Sequence, residues 1–109
     1  MKKFRPRVRA LKLAKEVRNR LRKELDQPVN VIMFGSQARG DASKDSDIDL
    51  LVIVPSVDSK VRGTVSDIAW EIGFEAGKVI STIPTTKERM QRYSFLPFYQ
   101  NIQREGVKI

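Results

Sequence analysis

Hydrophobic positions recur along this chain with two different spacings, and the switches between them predict its elements. After Pro6, the residues Val8, Leu11, Ala14, Val17, Leu21 and Leu25 return every three or four positions, with Arg and Lys on the other faces. That is the period of an amphipathic helix, and Pro6 suits its first turn. Asp26-Gln27-Pro28 ends the helix, because proline disfavours a helical conformation in the residue before it. Residues 29–34 (VNVIMF) form a short, β-branched apolar run without helical spacing, which predicts a strand that stops at Gly35. A polar stretch rich in turn formers follows, and a second apolar run, residues 50–54 (LLVIV), predicts the next strand.

Beyond Pro55 the helical period returns. Val61, Val65, Ile68, Ala69 and Ile72 mark the buried side of a helix over residues 60–76, with Asp58 or Ser59 as its cap and Gly77 at its end. Trp70 and Phe74, four apart, pack together on its flank. Residues 79–83 read as a third strand closed by Pro84. Thr85 through Glu88 reads as a capping box, with Thr85 as the cap of a short helix to about Tyr93. Pro97 opens a last helix of one or two turns that Gly106 ends, and residues 107–109 form an edge strand guarded by Lys108. Phe95, Leu96, Phe98 and Tyr99 either cover the core or form a docking patch.

Length and composition narrow the picture. A chain of 109 residues suits one domain spanning 1–109, with residues 1–6 expected as a flexible basic tail. There is no run of 18 apolar residues and no apolar stretch of a signal peptide, so a cytoplasmic protein without membrane contact is expected. Cysteine and histidine are both absent, which removes disulfides, thiolate chemistry, Ser-His-Asp hydrolysis and the usual zinc sites. Catalysis, if present, rests on carboxylates, hydroxyls, amines and a metal. The net charge of +8 is unevenly placed: residues 1–26 carry eleven basic against three acidic side chains, and the remainder carries ten of each. This basic segment is either a surface for RNA or another acidic partner, or a solvated helix face.

The candidate chemistry lies between the first two strands. Gly35 lets the backbone turn sharply and approach a ligand closely. If a helix starts at Ser36, its free backbone N–H groups face an anion, and the Ser36 hydroxyl adds a donor. After ten intervening residues beyond Ser36 comes Asp47-Ile48-Asp49. Residues two apart in a strand share a face, so the two carboxylates stand together while Ile48 and Leu50 turn inward. Such a pair, kept ionised, calls for a divalent cation, and Mg²⁺ (or Mn²⁺) held by one or two carboxylates plus substrate phosphates suits it.

Gly-Ser, ten residues, then Asp-x-Asp, with Ala38-Arg39-Gly40 after the serine and Ser46 to Leu50 around the aspartates, resembles the signature of the nucleotidyltransferase superfamily that includes DNA polymerase beta. The short chain is similar to the minimal nucleotidyltransferase branch, which often works beside a helical HEPN-type partner. The resemblance implies an α/β (α+β) fold, a small mixed β-sheet with helices packed on one side. It implies Asp47 and Asp49 as catalytic metal ligands, Gly35 and Ser36 as phosphate anchors, and ATP as the nucleoside triphosphate substrate. Arg39 is a further phosphate candidate, with pairing to Asp41 or Asp45 as its alternative, and Lys44 is another. Family members commonly carry Arg where this chain has Gln37. Active members also add a third acid from the strand after the second helix, and here Ser81 falls at that position. The expected function is Mg-dependent transfer of AMP from ATP to a hydroxyl of a partner protein, as the antitoxin of a HEPN-type pair. Its alternatives are a catalytically weak nucleotide- or partner-binding subunit and an RNA-binding module acting through residues 1–26. A homo-oligomer remains open.

Overall fold

In the computed structural model, which describes residues 4–43 and 45–109, a four-stranded sheet organises the chain. The elements run α1 (Val8–Leu25), β1 (Asn30–Phe34), α2 (Ser36–Arg39), β2 (Ile48–Ile53), α3 (Ser59–Ala76), β3 (Ile80–Thr85), α4 (Lys87–Arg92), α5 (Pro97–Glu105) and β4 (Val107–Lys108). The strand order is β3-β2-β1-β4. β1 pairs antiparallel with β2 and with β4, whereas β2 and β3 run parallel because α3 carries the chain back across the sheet.

The alternation of strand residues divides the core in two. Val31, Met33, Ile48, Leu50, Val52 and Ile80 face the long helices α1 and α3 and build the main core. Leu51 and Ile53 face the other way and pack with Ile32, Phe34, Met90 and Tyr99 around Ile102 of α5. The mixed sheet with its two long helices on one face is the expected architecture, and α5 closes part of the second face. α3 buries Val61, Val65, Ile68, Ala69 and Ile72 as the spacing predicted. Asp58 caps it by accepting from Val61 N at 2.8 Å, and Gly77 ends it.

Three local expectations are corrected. α1 buries Ala10, Leu13, Ala14, Val17 and Leu21, while Val8 is 70% exposed. Ala14, Val17 and Leu21 belong to both the expected and the observed set, Leu11 and Leu25 are partly buried against the same core, and Ala10 and Leu13 take the place expected of Val8. Pro84 does not close β3 but lies within it. Ile48 N donates to Val79 O and Val54 N donates to Thr85 O, each at 2.9 Å, so odd-numbered residues of β3 bond to β2. The nitrogen of Pro84 therefore faces outward on an edge strand, where no ladder bond is lost. Thr86, not Thr85, caps α4, accepting from Arg89 N at 3.1 Å. Thr85 is fully buried in β3, where its hydroxyl meets Tyr99 Oη at 2.9 Å.

Of the aromatic residues, Trp70 and Phe74 stack with ring centroids 5.0 Å apart, both largely exposed. Phe98 sets its edge against Phe34, and Tyr99 joins the second core, whereas Phe95 is 67% exposed. Among the described residues no helix is long and apolar enough to cross a membrane.

Candidate active site

β1 ends where β2 begins, so the turn after Phe34 and the first residues of β2 are brought side by side by the antiparallel register, in which Phe34 is level with Asp49. Gly35 makes the turn with φ 77° and ψ −161°, a conformation essentially confined to glycine. The missing side chain also leaves room for a neighbour. A Cβ at Gly35 would overlap Asp49 Oδ2, so the Asp49 carboxylate lies against the bare backbone of the turn. Ser36 follows as the first residue of α2, and Gly35 O accepts from Ala38 N and Arg39 N at 3.1 Å to close this one-turn helix.

Asp47 precedes β2 and is exposed, whereas Asp49 is half-buried, with Ile48 and Leu50 turned into the main core as expected. Burial pushes the Asp49 carboxyl above the ordinary aspartate range, the Asp47 charge pushes it further, and Arg39 offsets part of this. The upward shift means that the charged form of Asp49 is held at a cost until positive charge arrives. On the far side of Asp49 the parallel register sets Ser81 of β3 level with it, on the same face of the sheet. Glu71, an acid of the preceding helix α3, pairs with Arg20 of α1 at 3.1 Å.

Arg39 stands at the end of α2, where it donates to Asp41 Oδ2 at 3.2 Å and to Glu105 Oε2 at 3.1 Å. Hydrogen bonds to both carboxylates hold its proton more tightly than usual, Asp41 contributing most. Glu105, whose side chain is only 15% exposed, was not a candidate from sequence. It arrives from α5, 66 residues away, and no local pattern announces it. Gln37 is buried, and its Nε2 donates to Ser46 O at 3.0 Å. It thus ties α2 to the segment that leads into Asp47, a positioning role that its comparison with a phosphate-binding arginine did not suggest. Lys44 lies outside the described residues.

Gly35 and the Asp49 carboxylate therefore meet at one end of the sheet, on the face opposite α1 and α3, with Ser36 next in the chain and the Asp47 charge near enough to act on Asp49. Among the described residues there is no group of three or more His, Cys, Asp or Glu side chains that would enclose a metal ion unaided.

The sequence profile described as nucleotidyltransferase domain matches residues 14–109. A protein of Methanocaldococcus jannaschii, named as a candidate protein adenylyltransferase, is 37% identical over 76 residues, which cover 70% of this chain and 72% of that protein. Among solved structures, a candidate nucleotidyltransferase from Sulfolobus solfataricus superposes with a TM-score of 0.63 at 25% identity, over 93% of this chain and 79% of its own. A toxin–antitoxin structure with AMP-PNP shares the fold at a TM-score of 0.58 and 15% identity, over 86% of this chain and 70% of its own.

Proposed function

Because this chain belongs to the nucleotidyltransferase domain family, and is a transferase on that footing, we propose that it moves AMP from ATP to a hydroxyl group of a partner protein. The observation that carries this reading is the seating of the Asp49 carboxylate against the Gly35 turn. Phosphate gripped at Gly35 and Ser36 and a cation held by Asp47 and Asp49 would then be immediate neighbours. A protein acceptor is supported by the name of the Methanocaldococcus relative, and a helical HEPN-type toxin as that acceptor agrees with the toxin–antitoxin neighbour in fold.

The donor set fits Mg²⁺ or Mn²⁺. Two carboxylates, one of them discouraged from ionising, suit a hard ion that takes its remaining ligands from phosphate and water. When bound, such an ion neutralises charge on the triphosphate. Gly35 and Ser36 would orient the terminal phosphates, and Asp47 and Asp49 would hold the ion that draws the triphosphate to them. The acceptor hydroxyl oxygen forms a bond to the α-phosphorus as the bond from that phosphorus to the bridging oxygen breaks. Pyrophosphate leaves and the hydroxyl proton passes to solvent. Arg39 would reach a phosphate by releasing the exposed Asp41 while Glu105 keeps hold of it.

Ser81 supports a second reading. An uncharged group level with Asp49 is a poor general base, and general-base assistance is worth about 10²–10⁴-fold. A slow enzyme or a nucleotide-binding subunit would carry such a site. Incubation with α-labelled ATP, Mg²⁺ and co-purifying protein separates the two. Label transferred by the wild type and lost in the Asp47→Asn/Asp49→Asn variant is the result expected of an enzyme, whereas ATP binding without transfer to any acceptor would leave only the subunit.

A further inference from the structure

The two carboxylates that hold Arg39 differ in origin and in exposure. Asp41 stands two residues further along the chain, its side chain is 63% exposed, and it accepts from Arg39 Nε at 3.2 Å. Glu105 comes from the end of α5, its side chain is 15% exposed, and its Oε2 accepts from Arg39 Nη1 at 3.1 Å. The other oxygen of Glu105 lies 3.7 Å from Arg104 Nη2, beyond hydrogen-bond reach. An exposed ion pair is screened by water and contributes little, whereas a largely buried one keeps more of its strength.

The segment that carries Glu105 is fixed on both sides. Before it, Ile102 is buried in the second core with Leu51 and Ile53, and Tyr99 meets Thr85. Beyond it, Gly106 N donates to Ile102 O at 2.7 Å, and Val107 and Lys108 pair with Met33 and Ile32 of β1. β1 is the strand that runs into Gly35, so Glu105 and the glycine turn share one hydrogen-bonded frame. Arg39 is also close enough to Asp49 for its charge to favour the ionised carboxyl. Its guanidinium thus stands beside the end of the sheet where Gly35 and Asp49 meet, and it keeps N–H donors beyond the two that the carboxylates engage.

We propose that Glu105 is a positioning residue of the triphosphate site, holding Arg39 toward the phosphates, and that Asp41 competes with those phosphates for the same guanidinium. The inference rests on the reading of Gly35 and Ser36 as phosphate anchors. A phosphate oxygen arriving there takes the Nε donor that Asp41 releases, while Glu105 keeps the guanidinium in place through Nη1. Charge alone makes a different forecast. Both carboxylates repel a polyanion, so on that ground removing either one should tighten binding.

Calorimetric titration of the whole chain with Mg²⁺ and the α,β-methylene analogue of ATP, whose α–β bridge resists transfer, separates these outcomes. The expected result is binding weakened about fivefold or more in Glu105→Gln and tightened about twofold or more in Asp41→Asn. In an Arg39→Gln background, Glu105→Gln should weaken binding no further, because the group it acts through is gone. Melting curves check the fold of each variant. Should Glu105→Gln fail to fold, Glu105→Asp, which keeps the charge but is one methylene shorter, must weaken binding in its place. With wild-type binding intact, equal or tighter binding in Glu105→Gln, no tightening in Asp41→Asn, or the same loss in the Arg39→Gln background would overturn this proposal alone. No binding of the analogue by the wild type would overturn it together with the triphosphate reading.

Discussion

A single carboxylate concentrates the physical tension of this molecule. A carboxyl whose pKa rises on folding binds its proton more tightly in the native state than in the unfolded chain. Native stability is therefore lost as pH rises through the carboxylate range, and the deficit persists at neutral pH. Asp49 is such a group, through burial and the charge of Asp47. Asp49→Asn should accordingly melt at a higher temperature than the wild type at pH 7 while losing transfer. The two curves should converge as pH falls below the ordinary aspartate pKa of about 3.9. Gly35→Ala acts on the same contact from the other side. It forces a Cβ into Asp49 Oδ2 and into a backbone region nearly closed to alanine, so a loss of about 1–3 kcal/mol in chemical denaturation is expected, together with loss of ATP binding. Ser81→Asp places a third acid level with Asp49. Label transfer should rise by about tenfold or more, toward the range general bases supply, and the apo protein should melt earlier because a third like charge joins the pair.

Among the elements, α5 bridges the most distant parts of the chain. Its Tyr99 hydroxyl meets the buried Thr85 hydroxyl of β3, and its Glu105 meets Arg39 of α2. Tyr99→Phe leaves the Thr85 hydroxyl unpaired in the interior, and denaturant unfolding should show a loss of about 1–3 kcal/mol. Elements with strong periodicity were legible in the sequence: α3, with its five buried positions, its Asp58 cap and its Gly77 end, follows directly from spacing and cap chemistry. The strands around the glycine turn were legible for the same reason, since β-branched runs leave little choice. Neighbours supplied by distant segments were not. Glu105 beside Arg39 and Tyr99 beside Thr85 come from tertiary packing, which leaves no trace in local pattern. The buried face of α1 was ambiguous because two stripes of helical spacing overlap, and only the sheet decides between them. Thr85 and Thr86 each offer a capping hydroxyl, and the choice was made by the need of β3 for one more residue.

At the scale of the whole molecule, the sheet separates two kinds of surface. One face carries α1 and α3 over the main core. The opposite face presents Asp49, Gly35 and Ser81 beside a smaller core that α5 covers. Gln37 anchors the loop between these two surfaces from within. The outer borders of the sheet have a further consequence. β4 is only two residues long, and the outward row of β3 reaches Pro84, where no N–H is available. Neither margin offers a template long enough for identical molecules to stack into cross-β fibrils. Pro84→Val restores the missing donor and should shorten the lag before thioflavin-positive aggregation at high concentration, so that one imino acid acts as a guard against self-assembly.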